Sequence, residues 1–174
     1  MNLKETLRLP LTAYSTFVVV AGFLQSPVLL LIRLIWGGQF IMTGWGKLNH
    51  LQKVTEFFAT LGIPFPAWNA PFVASVECVG GFLLVVGLFS RLAAIPLAIT
   101  LIMAYLTAEF DTVKPLLHGE VDPFFSATPF LYLFAMILII AFGPGAFSLD
   151  HLLRRFLRVP TKTLGFGSMN QRFR

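Results

Sequence analysis

Four long apolar runs set the layout of the chain: Pro27 to Trp45, Ala70 to Phe89, Leu92 to Ala108 and Pro129 to Phe147. Each is close to the roughly 20 residues that a helix needs to cross a hydrocarbon core of about 30 Å. A weaker run, Tyr14 to Leu24, contains Ser15 and Thr16 and is closed by Gln25-Ser26-Pro27. It reads as an interfacial or half-inserted helix. No small-residue cleavage site follows it, so it is not expected to be a removed signal peptide. Ser26-Pro27 and Thr128-Pro129 each set a hydroxyl before a proline, the pattern of a capped helix start. The short polar turn Ser90-Arg91 makes the second and third runs antiparallel neighbours, and Gly143-Pro144-Gly145 ends the fourth.

Two further segments alternate at helical spacing but are too polar on one side to span. Leu48, Leu51, Val54, Phe58 and Leu61 form one apolar stripe, ended by Leu61-Gly62-Ile63-Pro64, with Trp45 and Trp68 at the level of an aromatic belt. Beyond Ser148, a candidate cap, Leu149, Leu152, Leu153, Phe156 and Leu157 share a face, opposite His151, Arg154, Arg155 and Arg158. That is a basic amphipathic helix suited to an anionic lipid surface. The chain divides into an N-terminal segment (1–26), a four-span membrane domain (27–148) and a basic amphipathic tail (149–174).

Composition agrees with a bilayer as solvent. Of the 174 residues, 56% are hydrophobic and 12% charged, and Phe occurs 19 times. A soluble domain of this size has more surface than such a sequence can cover with polar groups. The expected fold class is therefore all-α, an integral membrane four-helix bundle with interfacial amphipathic helices. With four spans, nine Lys and Arg fall on the side of both termini and three, Lys47, Lys53 and Lys114, on the other. The positive-inside rule then places both termini in the cytoplasm. The net charge of +5 lies mostly in the tail, beside lipid headgroups, so lipid and not nucleic acid is its expected partner.

Redox and metal chemistry are constrained by what is scarce. Cys78 is the one cysteine, so neither an internal disulfide nor a CxxC motif exists. His50, His118 and His151 lie in loops or the tail, and no metal-ligand spacing occurs. Gly37-Gly38 and Gly80-Gly81 lie inside apolar runs, where glycine serves close helix packing.

The remaining signal is polar residues within the spans: Arg33, Gln39, Thr43, Glu77, Thr100, Tyr105 and Thr107, with Lys47 and Glu109 near the outer boundary. An ionisable group there costs about 2.5–3.5 kcal/mol on insertion scales and normally has a partner. From the helical rise, Glu77 and Gln39 each lie roughly 10 Å below the outer boundary, and Arg33 about 9 Å deeper. Arg33, Gln39, Lys47 and Glu77 are thus expected to cluster between the first two spans. Such a cluster either pins helix register or binds a ligand or proton, with the carboxylate facing a polar headgroup among aromatic rings. A quinone is the cofactor that suits the second reading; no other is evident.

RLIWGGQF (33–40), GWGKL (44–48), FF (57–58) with LGIP (61–64), ECVGG (77–81), GLFSRLAA (87–94), PFLY (129–132) and GPGAFSLD (143–150) together resemble the DoxX family of small four-helix bacterial membrane proteins. The resemblance covers about Pro27 to Asp150. It implies an inner-membrane bundle, and some members, such as DoxD of a thiosulfate:quinone oxidoreductase, are membrane subunits of redox systems. Arg33, Lys47, Glu77 and Arg91 fall on motif positions, to which the resemblance assigns no catalytic role. The chain has no independent catalytic motif. Three functions follow as expectations: a quinone-linked subunit serving a soluble redox partner, a membrane scaffold or assembly protein, or a small transporter using Glu77, Glu109 and Asp111 as a relay. A homo-oligomer suits each of them.

Overall fold

The computed structural model describes the backbone of residues 3–157, and the side chains from Gly22 onward except Arg154 and Leu157. All regular structure among these residues is helical. The elements are α1 (Leu3–Asn49), α2 (Leu51–Thr60), α3 (Pro66–Val86), α4 (Ser90–Leu106), α5 (Phe110–Val113), a 3₁₀ turn (Lys114–His118), α6 (Asp122–Ser126), α7 (Pro129–Phe142) and α8 (Leu149–Leu157). α1, α3, α4 and α7 pack together as the bundle. Gly22–Asn49 of α1 and Pro66–Val86 are long and apolar enough to span alone. α4 reaches that length only with its continuation Phe110–His118, from which it is bent by 84°. α7, at 14 residues, is about 21 Å long.

The seam between α1 and α3 is written in small residues. On α1 the buried positions Leu29, Arg33, Gly37, Phe40 and Gly44 repeat at three- and four-residue steps, so they share one face. α3 answers with Ala70, Ala74, Glu77, Gly81 and Leu84 at the same steps. A Cβ on Gly81 would stand 2.7 Å from the Gly37 carbonyl oxygen, and one on Gly44 would stand 2.5 Å from the Cys78 nitrogen. Backbone meets backbone here, which maximises dispersion contacts where no hydrophobic drive exists between helices in lipid. α4 and α7 pack through Ala93, Ala94, Leu97 and Ala98 against Ala135, Met136 and Ile139. Phe40 joins the two pairs, edge-on to Tyr132 at 5.4 Å between centroids. Phe72, Phe82, Ile99, Ile102, Leu131 and Phe134 point outward, an apolar surface that suits acyl chains.

One end of the bundle is held by the segment between α7 and α8. Arg33, fully buried, donates from Nη2 to the Phe147 carbonyl. The Ala146 amide donates to Ser26 Oγ at 3.2 Å, and Arg91 Nη2 donates to the Ala141 carbonyl at 3.1 Å. Asp150 accepts from the Phe89 and Ser90 amides at 2.8 and 3.3 Å, so the first turn of α4 is capped by a residue of α8. Its own amide donates to the Gly87 carbonyl at 3.0 Å. Gly87 has φ +76°, and a Cβ there would run into the Arg33 guanidinium. Only glycine suits both the turn and its neighbour.

Several local expectations change. Gln25-Ser26-Pro27 does not break the chain: α1 runs through it, and Ser26 receives the Ala146 amide instead of capping. Pro27 forfeits one intrahelical bond, a loss that membrane helices tolerate when neighbours satisfy the freed group. Pro71 and Pro96 likewise sit inside α3 and α4. Thr128 makes no capping bond, although Pro129 does open α7. The turn between α3 and α4 is Gly87-Leu88-Phe89, and Ser90 is already helical. Other signals hold. Ser148 Oγ accepts the His151 amide at 3.1 Å at the start of α8. α2 ends at Gly62 (φ +71°), with the Ile63 amide bonding back to Phe58 at 3.0 Å and the Gly62 amide to Ala59 at 3.1 Å. The part of the basic tail beyond Leu157 lies outside the described residues.

Candidate functional site

At the opposite end, α1 ends at Asn49 and the chain turns at His50 into α2. The last turn of α1 presents Lys47 on the same face as Gly44, toward α3. Because Gly44 lets the helices nearly touch, the lysine stem spans the short remaining gap: Nζ donates to Glu77 Oε1 at 2.5 Å. Glu77 is 7% exposed, whereas a third of the Lys47 side chain is accessible. The ammonium can thus stay partly hydrated while the carboxylate is sequestered. Oε2 of Glu77 is buried and has no hydrogen-bond partner among the described residues. A buried acceptor left empty costs about 1–3 kcal/mol, more when charged.

This carboxylate lines a pocket of about 400 Å³ between α2, α3 and α4. Its volume lies within the 300–1,000 Å³ usual for small-molecule sites. The walls are Val54, Phe57 and Phe58 of α2, Phe72 and Val73 of α3, and Ile99, Thr100 and Met103 of α4. Phe57, Phe72, Ile99 and Met103 are themselves substantially exposed, so the rim is apolar where it meets the surface. An apolar cleft with one buried ion pair suits an amphipathic molecule: ring or chain against the aromatics, polar end toward Glu77.

Of the four residues grouped from the sequence, Lys47 and Glu77 meet. Arg33 does not join them. Fourteen residues of helix separate it from Lys47, about 21 Å, beyond the reach of a guanidinium. Its side chain serves the α8 end instead. Gln39 is exposed, about 100° around α1 from Phe40 and off the seam. Asp111 pairs with exposed Lys114 at 2.7 Å, which holds its carboxyl below the usual carboxylate range, and it does not line the pocket. Glu109 is not a lining residue either. Cys78 is a free thiol whose backbone meets Gly44. Among the described residues, no three of His, Cys, Asp and Glu gather to hold a metal ion.

Thr100, Thr107 and Phe57 belong to the pocket but were not grouped with Glu77 beforehand. Their signal was present: two hydroxyls inside an apolar run, and an aromatic pair on an amphipathic helix. What links them is the register between α2, α3 and α4, which no local pattern encodes.

A helical bundle with a small-residue seam, an apolar exterior and a pocket at one end is an all-α integral membrane protein. The chain belongs to the DoxX family, whose model matches residues 28–109 and so includes every residue that lines the pocket. It is 30% identical over 135 residues to Uncharacterized membrane protein Rv3486 of Mycobacterium tuberculosis, covering 74% of this chain and 83% of that protein. It is 34% identical over 80 residues to the Bacillus subtilis protein named Putative oxidoreductase CatD, covering 46% of this chain and 58% of that one. Inner membrane protein YqjF of Escherichia coli is 26% identical over 137 residues, covering 76% and 96%. No solved structure matches the chain.

Proposed function

We propose that this protein is a quinone-binding membrane subunit of a redox system in a bacterial inner membrane, with both termini in the cytoplasm. The observation that carries the reading is Glu77, a residue on the wall of an apolar pocket of about 400 Å³ whose buried Oε2 has no partner among the described residues. An isoprenoid quinone, in its oxidised or its reduced form, has the matching shape: a flat ring for Phe57, Phe58 and Phe72, a tail that can leave through the apolar rim, and a small polar end. Lys47 and Glu77 would hold that end; the group itself would supply the electron chemistry. The similarity to a protein named as an oxidoreductase agrees in kind. Electrons would come from a soluble redox partner, since one cysteine cannot form a dithiol–disulfide couple within the chain.

A scaffold role is the competing reading, favoured by α8. Asp150 ties its start to the bundle and Ser148 caps it, while Leu152, Leu153 and Phe156 stay exposed. The two readings separate by mass spectrometry of small molecules extracted from the detergent-purified protein, with Glu77→Gln alongside. A near-stoichiometric quinone, depleted in a variant that still folds, is the expected result. No quinone in either sample, with the variant merely less stable, would make Glu77 a structural pin.

A further inference from the structure

We infer that the pocket selects the reduced, hydroxyl-bearing form of its occupant, a quinol, over the quinone; this rests on the quinone-binding reading above. The protons on the pocket wall decide between the two forms. Glu77, ion-paired through Oε1 with Lys47, is a carboxylate and an acceptor only. Glu77 lines the pocket, and its second oxygen is buried and lacks a donor among the described residues. Thr100 donates its hydroxyl proton to the Leu97 carbonyl at 2.8 Å, and Thr107 donates to Met103 at 2.7 Å. Both threonines therefore offer lone pairs to a ligand. Asn69 has one amide proton engaged on the Pro64 carbonyl at 2.6 Å and Lys47 one on Oε1; the protons they keep can serve the oxygens of a quinone and of a quinol alike, so they do not separate the two forms.

The most deeply buried of these groups is thus an anionic acceptor in need of a donor. A quinone carries carbonyl oxygens and no polar proton, so beside Oε2 it sets one acceptor against another. A quinol has the same ring and tail with two O–H groups, one of which completes Oε2 in a charge-assisted bond. Ring and tail contacts are common to both forms and cancel in the comparison. What remains is one bond to a charged group, a difference of about tenfold or more in affinity. Tighter binding of the reduced form also raises the reduction potential of the bound couple.

The test is calorimetric titration of the full detergent-solubilised chain, under argon, with a decyl-substituted benzoquinone and with its chemically reduced quinol. The quinol should bind at least about tenfold more tightly to the wild type. In Glu77→Gln the carboxamide oxygen can face Lys47 and the N–H₂ the pocket, so the preference should shrink to parity or invert. Equal affinities in the wild type, or a tighter quinone, would overturn the inference while leaving quinone binding intact. Failure of both forms to bind would overturn the inference and the quinone-binding reading together. Should Glu77→Gln not fold, K47M/E77Q, uncharged at both positions, carries the same carboxamide. A quinol preference persisting in that variant would also overturn the inference.

Discussion

Glu77 has Lys47 as its counter-charge, and the two differ in their access to water. Truncating the lysine leaves a buried carboxylate with no counter-charge. Removing one partner of a buried pair costs about 3–5 kcal/mol, and the partial exposure of Lys47 moves the expectation for Lys47→Met to the lower part of that range. A thermal unfolding series in detergent should show this loss, with much of it recovered in K47M/E77Q. No recovery would mean that the lysine contributes packing and not charge. Gln39 offers the contrast. It is exposed on the bundle surface, so Gln39→Leu should alter stability by less than about 0.5 kcal/mol and leave small-molecule content unchanged. A large effect would return Gln39 to the site. Gln39 and Glu77 look alike in the sequence, as polar groups at similar depth; whether each falls on the packed or the exposed face of its helix separates their fates.

Between elements, closeness of backbones is the controlling quantity. Gly81→Ala places a methyl 2.7 Å from the Gly37 oxygen, an atom that cannot yield without moving α1. Overpacking of this kind typically costs about 1–3 kcal/mol. Because Lys47 reaches Glu77 only while the seam stays closed, Gly81→Ala should also reduce whatever the pocket retains. Gly38→Ala, with nothing within 4 Å, is the control and should be silent. Equal melting temperatures for the two variants would sink the seam argument. At the α8 end, Asp150→Ala removes two acceptors from the first turn of α4, where capping losses run to about 1–2 kcal/mol. Faster proteolysis of the α3–α4 turn is the expected sign, and unchanged cleavage would show that water replaces the cap. Phe89, held at φ +48° next to this cap, is the strained residue that Asp150 keeps in place.

Across the whole molecule, two polar assemblies occupy opposite ends of one bundle. Arg33 with Phe147 and Asp150 organises the α8 end; Lys47 with Glu77 organises the pocket end. With about 21 Å of α1 between them, they should behave independently. In a double-mutant cycle, Arg33→Met and Glu77→Gln should add to within about 0.5 kcal/mol, and Arg33→Met should leave the pocket's occupant in place. A coupling well above that value would show that the bundle transmits between its ends.

How much of this was legible differs by level. The apolar runs, the amphipathic α2 and α8, the Gly62 stop and the Ser148 cap could all be read locally, because each depends on residues within one or two turns. That the chain lives in a bilayer followed from its composition, since too few polar residues exist to cover a soluble surface. The pairing of Lys47 with Glu77 was partly legible, from matched depths on neighbouring helices. Depth alone could not say that Gln39 faces away from the seam, and Arg33, which shares the seam, was grouped with the pair although fourteen residues of helix separate it from Lys47. The unbroken α1 through Pro27, the capping of α4 by Asp150 and the placing of Thr100 and Phe57 on one pocket depend on contacts between segments far apart in the chain. The sequence by itself determined the solvent and the helices. The register between those helices, and with it the pocket, came only with the tertiary structure, because a helix face acquires meaning from the backbone it touches.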